Sequence, residues 1–479
     1  MRRCRVPQIW RSLGPGQAEV PAEEAELYTY QRYRWLYPEK LASRYREFRL
    51  PALIEAALKV TNNGAAECVK VLKCLEGQYN KAFILSMSTG QDIVARIPNP
   101  NAGPKFYTIA SEVATRHFLR DCLAIPVPRI HAWSTDESNP VGAEYILEEM
   151  AQGQSLGSIW GQLSIDSKHS IVKQVVGIEK KLASVALPRH AAFTAIPKQA
   201  NVLGGFAIGP LTNPTLWQGQ RATMNLNRGP WDNIPDYALA IADNEIRWAE
   251  TYAEPKMNFR RSQAQPETPA EYISVIHRFM NIALHLVQDS LGKELGNRLC
   301  YSDLHLDNIF IDPKSKQITA IIDWQHTAAS PVSLHPSYPQ MFQPSETEDK
   351  ERVKLEDHLY LDEPQSLDPL LEPVQLIPGC WDRGDFYSLR KSMITAVAHW
   401  HDIRQSDIEC PVEFSKEEME QLAGEMELLE EGLIPLGGMV PREDHENAQL
   451  WNNHCKEEFL KLAEDEEQRK MFAKLWPYS

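Results

Sequence analysis

The sequence predicts an α+β protein of two lobes, a small antiparallel-sheet N-lobe followed by a mostly helical C-lobe. Short β-rich runs separated by glycine-containing turns lie between residues 69 and 97, and this pattern is typical of an antiparallel meander. Beyond residue 154, apolar residues recur at helical spacing instead. At 479 residues the chain is also long enough for more than one packed unit.

The N-lobe is assigned to residues 61–153. Its elements are predicted as strands at 69–75, 82–87 and 92–97, a helix at 109–121 and a further strand at 144–148. Residues 1–60 form a separate N-terminal extension, an aromatic and charged lead-in that ends in a short helix at 51–60.

The C-lobe is assigned to residues 154–410. Helices are predicted at 167–186, 236–252, 269–291 and 385–401, and a β-hairpin at 308–311 and 318–322. The segment 201–267 includes a long irregular stretch with Arg228-Gly-Pro-Trp231, either a lid or an elaborated loop, and we expect it to shape access for an acceptor. Residues 411–479 form an acidic helical extension, in which Ser415 and Glu418 fit a capping box.

Composition narrows the possible partners. The formal net charge of −15 counts against nucleic acid as a partner, because binding to a phosphate backbone needs a basic surface. The acidic charge is compatible with cationic substrates or bound magnesium, or it merely keeps the protein dispersed. No apolar run reaches the ~18 residues of a transmembrane segment. The eight cysteines form no CxxC pair, so reduced thiols are expected.

The extreme N-terminus is rich in arginine. Arg2, Arg3, Arg5 and Arg11 all precede the first acidic residue, Glu19. This bias is typical of mitochondrial presequences, but a short basic tail gives the same pattern. The sequence therefore predicts a mitochondrial location, with the cytoplasm as the alternative.

One constellation of acidic and amide side chains indicates phosphoryl transfer. Asn308 follows Asp303 by five residues, which is the spacing of a kinase catalytic loop. Asp323 comes after the predicted hairpin, which can return it to the same place. We predict Asp303 as the catalytic base that orients an acceptor hydroxyl, and Asn308 with Asp323 as ligands of Mg²⁺.

The N-lobe supplies candidate nucleotide-binding residues. Gly77 and Lys81 lie in a turn between two strands, where a loop covering phosphates belongs. Arg96 on the third strand and Glu112 on the following helix are either a phosphate-binding cation with its positioning carboxylate or an ordinary ion pair. His305 lacks a second histidine at metal-ligand spacing, so we interpret it as a loop-shaping hydrogen bonder.

At these residues the sequence resembles the aminoglycoside phosphotransferase and choline kinase branch of the protein-kinase-like fold. That branch carries His-Gly-Asp-Leu-His-Pro-Gly-Asn followed by Ile-Ile-Asp-Trp/Phe. Here the motifs read Tyr301-Ser-Asp303-Leu-His305-Leu-Asp-Asn308 and Ile-Ile-Asp323-Trp. The chain also resembles fungal members known as altered inheritance of mitochondria protein 9, at residues 30–36, 76–81, 95–98, 111–115, 228–231, 322–326 and 475–477.

The resemblance implies a two-lobed fold, a site for ATP as co-substrate and a mitochondrial association, with the acceptor unknown. It also implies that the backbone around Glu149 and Ala151 holds adenine. Two positions depart from the family pattern, Arg96 for the usual lysine and Tyr301 for the usual histidine. Two hypotheses therefore stay open, an active kinase for a small molecule or protein, and a weakly active or inactive nucleotide-binding scaffold.

Overall fold

The structure is a computed structural model. It describes residues 7–12, 19–29, 33–35, 42, 44–61, 67–195, 206–256, 266–286, 296–301, 303–331, 334, 368–400, 409–427, 439–441, 445–461, 463 and 465–476.

The N-terminal part of the chain is built mainly of strands. Its elements are β1 (Ile9–Ser12), β2 (Glu19–Pro21), α1 (Glu24–Tyr28), β3 (Tyr33–Trp35), α2 (Leu50–Val60), β4 (Cys68–Lys73), β5 (Asn80–Met87), β6 (Asp92–Pro98), α3 (Tyr107–Asp121), β7 (Ile130–Ser134) and β8 (Tyr145–Glu149).

These strands form one seven-stranded sheet in the order β2-β1-β4-β5-β6-β8-β7. Strands β4 to β8 pair antiparallel, whereas β1 runs parallel to β4. Side chains of β5 alternate between buried and half-buried positions, as the period of two requires. Phe83 and Leu85 face the apolar residues of α2, and Ala82 and Ile84 face the other way, towards the C-lobe.

The predicted N-lobe strands and helix are present, and their ends differ from the prediction by a few residues. The sequence did not predict β1, β2 or β7. Residues 1–6 lie outside the described part of the chain, but Ile9–Ser12 belong to the sheet. The structure therefore places part of the expected N-terminal extension inside the N-lobe. The physical reason is that Ile9 is buried against β4, where a free basic tail would leave it in water.

The C-terminal part combines helices with two small sheets. Its elements are β9 (Gln154–Ser155), α4 (Leu156–Ile159), α5 (Ile165–Ala183), β10 (Ala186–Leu187), β11 (Ala191–Ala195), β12 (Phe206–Gly209), α6 (Ile234–Tyr252), α7 (Pro269–Leu286), β13 (Asn297–Cys300), β14 (Ile309–Ile311), β15 (Ile318–Ile321), β16 (Ala328–Pro331), α8 (Asp368–Leu376), α9 (Cys380–Arg383), α10 (Phe386–Ala398), α11 (Lys416–Glu427), β17 (Met439–Pro441), α12 (His445–Leu460) and α13 (Glu466–Leu475).

Helices α6, α7, α8 and α10 enclose the largest apolar core, in which Tyr272, Phe279, Trp381 and Trp400 are buried. In α7, Ile276 and Ala283 are buried and Met280 is partly buried, at the helical spacing expected of a core-facing side. Among the residues that the structure describes, no helix is long and apolar enough to cross a bilayer.

The strands of the C-lobe form two small sheets. One sheet has the order β10-β13-β16-β11-β12, and the other has the order β15-β14-β9. The predicted hairpin is β14–β15, and the predicted capping box is present, with Ser415 N 2.7 Å from Glu418 Oε2 and Glu418 N 3.2 Å from Ser415 Oγ. The two-lobed α+β fold predicted from the sequence is confirmed.

Gly153 allows the close approach of β9 to β14. It has a positive φ of 98°, and a Cβ atom there would collide with the carbonyl oxygen of Ile311. We therefore expect Gly153→Ala to lower the free energy of unfolding by about 1–3 kcal/mol, since both the backbone and the packing would be strained. Urea denaturation measures this.

Gly177→Ala is the matched control. Gly177 lies in α5, and a Cβ atom there would meet no heavy atom within 4 Å. Because alanine favours the helix over glycine, this variant is expected to gain roughly 0.5–1 kcal/mol. A Gly153→Ala protein as stable as the wild type would contradict the proposed role of the close approach.

Candidate functional site

The loop after β13 and the end of β15 are joined by hydrogen bonds. The loop carries Tyr301, Asp303 and Asn308, and ends in a single 3₁₀ turn, Leu306–Asn308. The Tyr301 hydroxyl donates to the carbonyl oxygen of Ile322 at 2.9 Å, and the Ile322 N–H donates to the carbonyl oxygen of Asn308 at 3.0 Å. The residue after Ile322 is Asp323, so these bonds bring both parts of the predicted motif together.

The Asn308 side chain makes hydrogen bonds to other residues of the same loop. Its amide nitrogen donates to the backbone oxygen of Asp303 at 3.0 Å and to the Tyr301 hydroxyl at 3.1 Å. It also lies 3.4 Å from Asp303 Oδ2. The side chain is buried, so these bonds satisfy a polar group that has left water. Asp303 and Asn308 therefore hold one another in a fixed geometry.

Asp323 connects the two lobes through Arg96. Its φ of +58° is in the left-handed region, which aspartate tolerates better than most residues. Arg96 Nη2 lies 2.8 Å from Asp323 Oδ1, and Arg96 Nη1 pairs with Glu112 of α3. The guanidinium thus bridges a helix of the N-lobe and the end of a C-lobe hairpin.

Burial and charge shift the pKa values of these groups. Burial alone would lower the pKa of Arg96, but Glu112 and Asp323 raise it above its ordinary value. Burial raises the pKa of Asp323, and Arg96 opposes that rise in part. Burial also raises the pKa of Asp303, against the opposing effects of His305 and Asn308. Both carboxylates therefore bind a proton more readily than an aspartate in water.

A cavity of about 980 Å³ lies between the lobes and contains these side chains. We call the part lined by β4–β6 and β8 with their loops the N-lobe end, and the part lined by the five-stranded sheet with its neighbouring segments the C-lobe end. The described residues at the C-lobe end are His190, Leu211, Thr212, Asn213, Pro214, Tyr237, Ala328, Ser330, Leu334, Val374 and Gln375.

Most of the predicted site residues meet at this cavity. Those that line it are Gly77, Arg96, Glu149, Ala151, Asp303, His305, Asn308 and Asp323. Glu112 and Tyr301 are buried behind it and act through hydrogen bonds to lining residues. His305 shapes the loop, as predicted, since its Nδ1 accepts from the Asp307 N–H at 3.2 Å.

Lys81 does not reach the cavity, so the prediction that it binds nucleotide is wrong. It points to the opposite face of β5, where its ammonium donates to Arg44 O and Asn99 Oδ1, both at 2.5 Å. Burial lowers the pKa of Lys81 to about 7. The physical reason is the strand alternation, which brings Asn80 and Ala82 to the cleft and turns Lys81 away.

Two residues that line the cavity, Tyr79 and Asn80, were not predicted. Asn80 Nδ2 donates to Gln325 Oε1 across the lobes at 2.6 Å. The Tyr79 ring contacts the ring of His326 edge-on, with centroids 5.3 Å apart. The strand period could have indicated Asn80, but no pattern in the sequence identifies its partner.

The oxygen donors at the site suit a magnesium ion held together with phosphates. Among the described side chains, no group of three or more His, Cys, Asp and Glu residues could hold a metal. Mg²⁺ in nucleotide sites, however, takes one or two protein oxygens and completes its shell with phosphate and water. Asn308 uses its amide nitrogen within the loop, which leaves the amide oxygen for a cation, and Asp323 supplies a carboxylate facing the cavity.

Comparison with known proteins shows the family. The profile of the APH phosphotransferase enzyme family matches residues 70–333 of this chain. The chain belongs to the APH phosphotransferase family. The resemblance expected from the motifs is thereby confirmed, and the matched region contains the cavity residues from Cys74 to Ser330.

Several relatives of this phosphotransferase-family protein are fungal. A subtelomeric hrmA-associated cluster protein of Aspergillus fumigatus is 29% identical, over 86% of this chain and 97% of the relative. Altered inheritance of mitochondria protein 9 of Yarrowia lipolytica is 24% identical, over 61% of this chain and 56% of the relative. Among solved structures, the aminoglycoside phosphotransferase APH(4)-Ia is 14% identical with a TM-score of 0.36, over 81% of this chain and 100% of that chain.

Tyr301 is expected to stabilise the site through its hydroxyl. Tyr301→Phe keeps the ring packing on Trp324, at a centroid distance of 4.4 Å, but leaves the Ile322 carbonyl and the Asn308 amide short of a partner. We expect a loss of about 1–3 kcal/mol in the free energy of unfolding. Tyr252→Phe is the control, because Tyr252 is exposed on α6. Equal stability of the Tyr301→Phe and control variants would contradict this role.

Proposed function

We propose that the protein transfers the γ-phosphate of ATP to a hydroxyl group of a small molecule or protein, with magnesium. The observation that carries the proposal is the convergence of Asp303, Asn308, Asp323 and Arg96 on one cavity between the lobes of an APH-family member. The cavity is large enough for a nucleotide together with part of an acceptor.

The nucleotide would lie at the N-lobe end. Gly77 lines the cavity without a side chain, and the backbone from Glu149, the last residue of β8, to Ala151 lines it at the junction of the lobes. Hydrogen bonds from this backbone would hold adenine. Arg96 would bind the α- and β-phosphates, with its guanidinium oriented by Glu112.

The acceptor hydroxyl would lie against Asp303. Its carboxylate is half-exposed to the cavity, and Asn308 fixes the loop that carries it. The raised pKa makes Asp303 a better proton acceptor than an ordinary aspartate. Asp303 would therefore orient the hydroxyl and take its proton as the oxygen attacks phosphorus.

Asn308 and Asp323 would hold magnesium. When bound, the ion supplies charge neutralisation between the phosphates. In the structure, Arg96 pairs with Asp323 at 2.8 Å and neutralises it. Asp323 would therefore exchange part of its contact with Arg96 when the nucleotide enters, and Arg96 would turn towards phosphate.

A nucleotide-binding scaffold with little or no activity is the second candidate. Arg96 favours it, since a guanidinium bound to two carboxylates has fewer donors left for phosphate than a free cation would have.

The relatives named altered inheritance of mitochondria protein 9 are also named as mitochondrial. Their names support our prediction of a mitochondrial location for this chain.

A thermal-shift titration with magnesium-ATP tests nucleotide binding. Nucleotide at 100 times its Kd is expected to stabilise the wild type by about 2.7 kcal/mol. Asp323→Ala should lose that stabilisation, because it removes a magnesium ligand. Lys81→Met is the control and should keep it, since Lys81 faces away from the cavity. Stabilisation of Asp323→Ala equal to that of the wild type would disprove the proposed metal site.

A screen for ATP-dependent mass gain then separates the two candidate functions. Candidate hydroxyl compounds are incubated with wild-type protein and with Asp303→Asn, which keeps the size of the side chain and removes the base. Transfer by the wild type, reduced at least 100-fold in Asp303→Asn, supports the kinase. Nucleotide binding with equal product formation by both proteins would contradict the role of Asp303.

Burial of Asp323 predicts a pH dependence. Its pKa is raised from 3.8, so the folded chain binds the proton more readily than the unfolded chain, and this contribution to stability is lost as the pH rises. Nucleotide binding has the opposite dependence, because the metal needs the carboxylate. We expect the Kd of magnesium-ATP to rise as the pH falls towards the raised pKa, at a pH above 3.8. Asp323→Asn should lack this transition, and a transition present in both proteins would refute the assignment.

A further inference from the structure

Three aromatic rings pack together at the C-lobe end of the cavity, where His190 and Tyr237 line it and Trp231 is buried behind them. The His190 ring is 4.6 Å from the Tyr237 ring and 5.7 Å from the Trp231 ring, and the Trp231 and Tyr237 rings are 5.0 Å apart. The backbones of His190 and Trp231 exchange two hydrogen bonds of 2.9 and 3.1 Å. We call these residues the aromatic wall. Its position is fixed by the backbone as well as by ring packing.

The Arg228-Gly-Pro-Trp231 motif, which the proposed chemistry leaves unexplained, builds this wall. Gly229 has a φ of +83°, and a Cβ atom on it would lie 2.6 Å from the Trp231 ring. Because glycine has no Cβ atom, the Trp231 ring can pack against this position. The Arg228 guanidinium lies 3.9 Å from the centre of the Trp217 ring. The Arg228 carbonyl accepts from the N–H of Leu211, a lining residue, at 2.9 Å.

The sheet order sets the distance from the wall to the catalytic loop. Strand β13, which leads into the loop, pairs with β16, and β16 pairs with β11, which follows His190. His190 Nδ1 bonds to the carbonyl oxygen of Ala329 on β16 at 2.9 Å. Neighbouring strands lie ~4.8 Å apart, so the wall stands roughly 10 Å from the end of β13. A compound in which a short linker joins a ring to a hydroxyl group spans that distance.

The C-lobe end is nearly free of charge. Of the described residues that line it, His190 has an ionisable group in the ordinary pH range, and no carboxylate, lysine or arginine is among them. His326, which lies beside Thr212, also lines the cavity, and burial lowers its pKa to about 4, so it is neutral at pH 7. Burial raises the pKa of Tyr237 to about 12, so its hydroxyl stays neutral. An ammonium group bound here would lose its hydration without gaining a counter-charge from these residues. Thr212 and Ser330 can instead bond to neutral hydroxyl groups.

We infer that the aromatic wall binds the acceptor and selects an uncharged, hydroxylated compound that carries a ring, in preference to a polyamine. This inference rests on the proposed function, since it names the acceptor of that reaction. The ring would lie against Tyr237 and Leu211, and one hydroxyl group would reach Asp303.

A matched pair of probes tests the inference. The neutral probe is phenyl β-D-glucopyranoside, and the charged probe is its 2-amino-2-deoxy analogue. Each is titrated into the full chain, saturated with magnesium and a non-hydrolysable ATP analogue, and binding is followed by saturation-transfer NMR. We expect the neutral probe to bind at least fivefold more tightly. Tyr237→Ala should weaken it roughly tenfold, the effect of losing one aromatic contact.

Tyr252→Ala is the control on the same helix, because Tyr252 is exposed there, and it should bind the neutral probe like the wild type. Equal or tighter binding of the charged probe, no binding of the neutral probe, or unchanged affinity in Tyr237→Ala would overturn the inference. The thermal shift with magnesium-ATP is measured on the same proteins. If magnesium-ATP gave the wild type no thermal shift, the proposed function would be overturned. A thermal shift in Tyr237→Ala equal to that of the wild type would show that the variant is folded.

Discussion

The ion pairs of Arg96 are the interaction on which the cleft depends. One guanidinium contacts Glu112 on the helix of the N-lobe and Asp323 at the end of the C-lobe hairpin. Glu112 is buried, and its second cation, Arg116, is 3.4 Å away and also pairs with Glu148, so removal of Arg96 would leave the Glu112 charge only partly compensated away from water, which is destabilising. Together with the Asn80–Gln325 hydrogen bond, the contact holds the two lobes together, and it orients the carboxylate that faces the cavity. The phosphate-binding role proposed for Arg96 and its role in joining the lobes would use the same five donors.

The two departures from the family motif fit this arrangement. A planar guanidinium reaches two carboxylates at once, a geometry that a compact ammonium serves less well. Tyr301 replaces a histidine, and its hydroxyl both donates to the backbone beside Asp323 and accepts from Asn308. Its ring packs on the buried Trp324, so the hydroxyl is held in place by the apolar core. Neither substitution changes Asn308 or Asp323, the proposed oxygen ligands, and both side chains make contacts that hold the site together.

The sequence was sufficient for the features that depend on local pattern. Strands β4 to β6, helices α6 and α7 and the β14–β15 hairpin follow from periodicity and turn residues, and the motif spacing predicted that Asp303 and Asn308 lie together. The sequence was insufficient for elements whose formation depends on pairing between strands that are distant in the chain. Strand β1 consists of four residues whose partner lies about sixty residues away, and the C-lobe sheet is made of strands too short to show alternation. Lys81 was predicted to lie in the turn before a strand at 82–87, but β5 begins at Asn80, two residues earlier, so the strand period turns Lys81 away from the cavity. The aromatic wall joins residues 190 and 231 through packing that no local signal reports.

The parallel pairing of β1 with β4 has a consequence for how the chain can be shortened. Hydrogen bonding by Ile9–Ser12 covers one side of β4, and β2 in turn covers β1. Cleavage or truncation after residue 12 would leave backbone N–H and C=O groups of β4 unpaired along a side that also carries the exposed Val69. Such an edge is a template for pairing with another chain, so the shortened protein would tend to self-associate. The first strand thus protects the solubility of the lobe as well as completing its sheet.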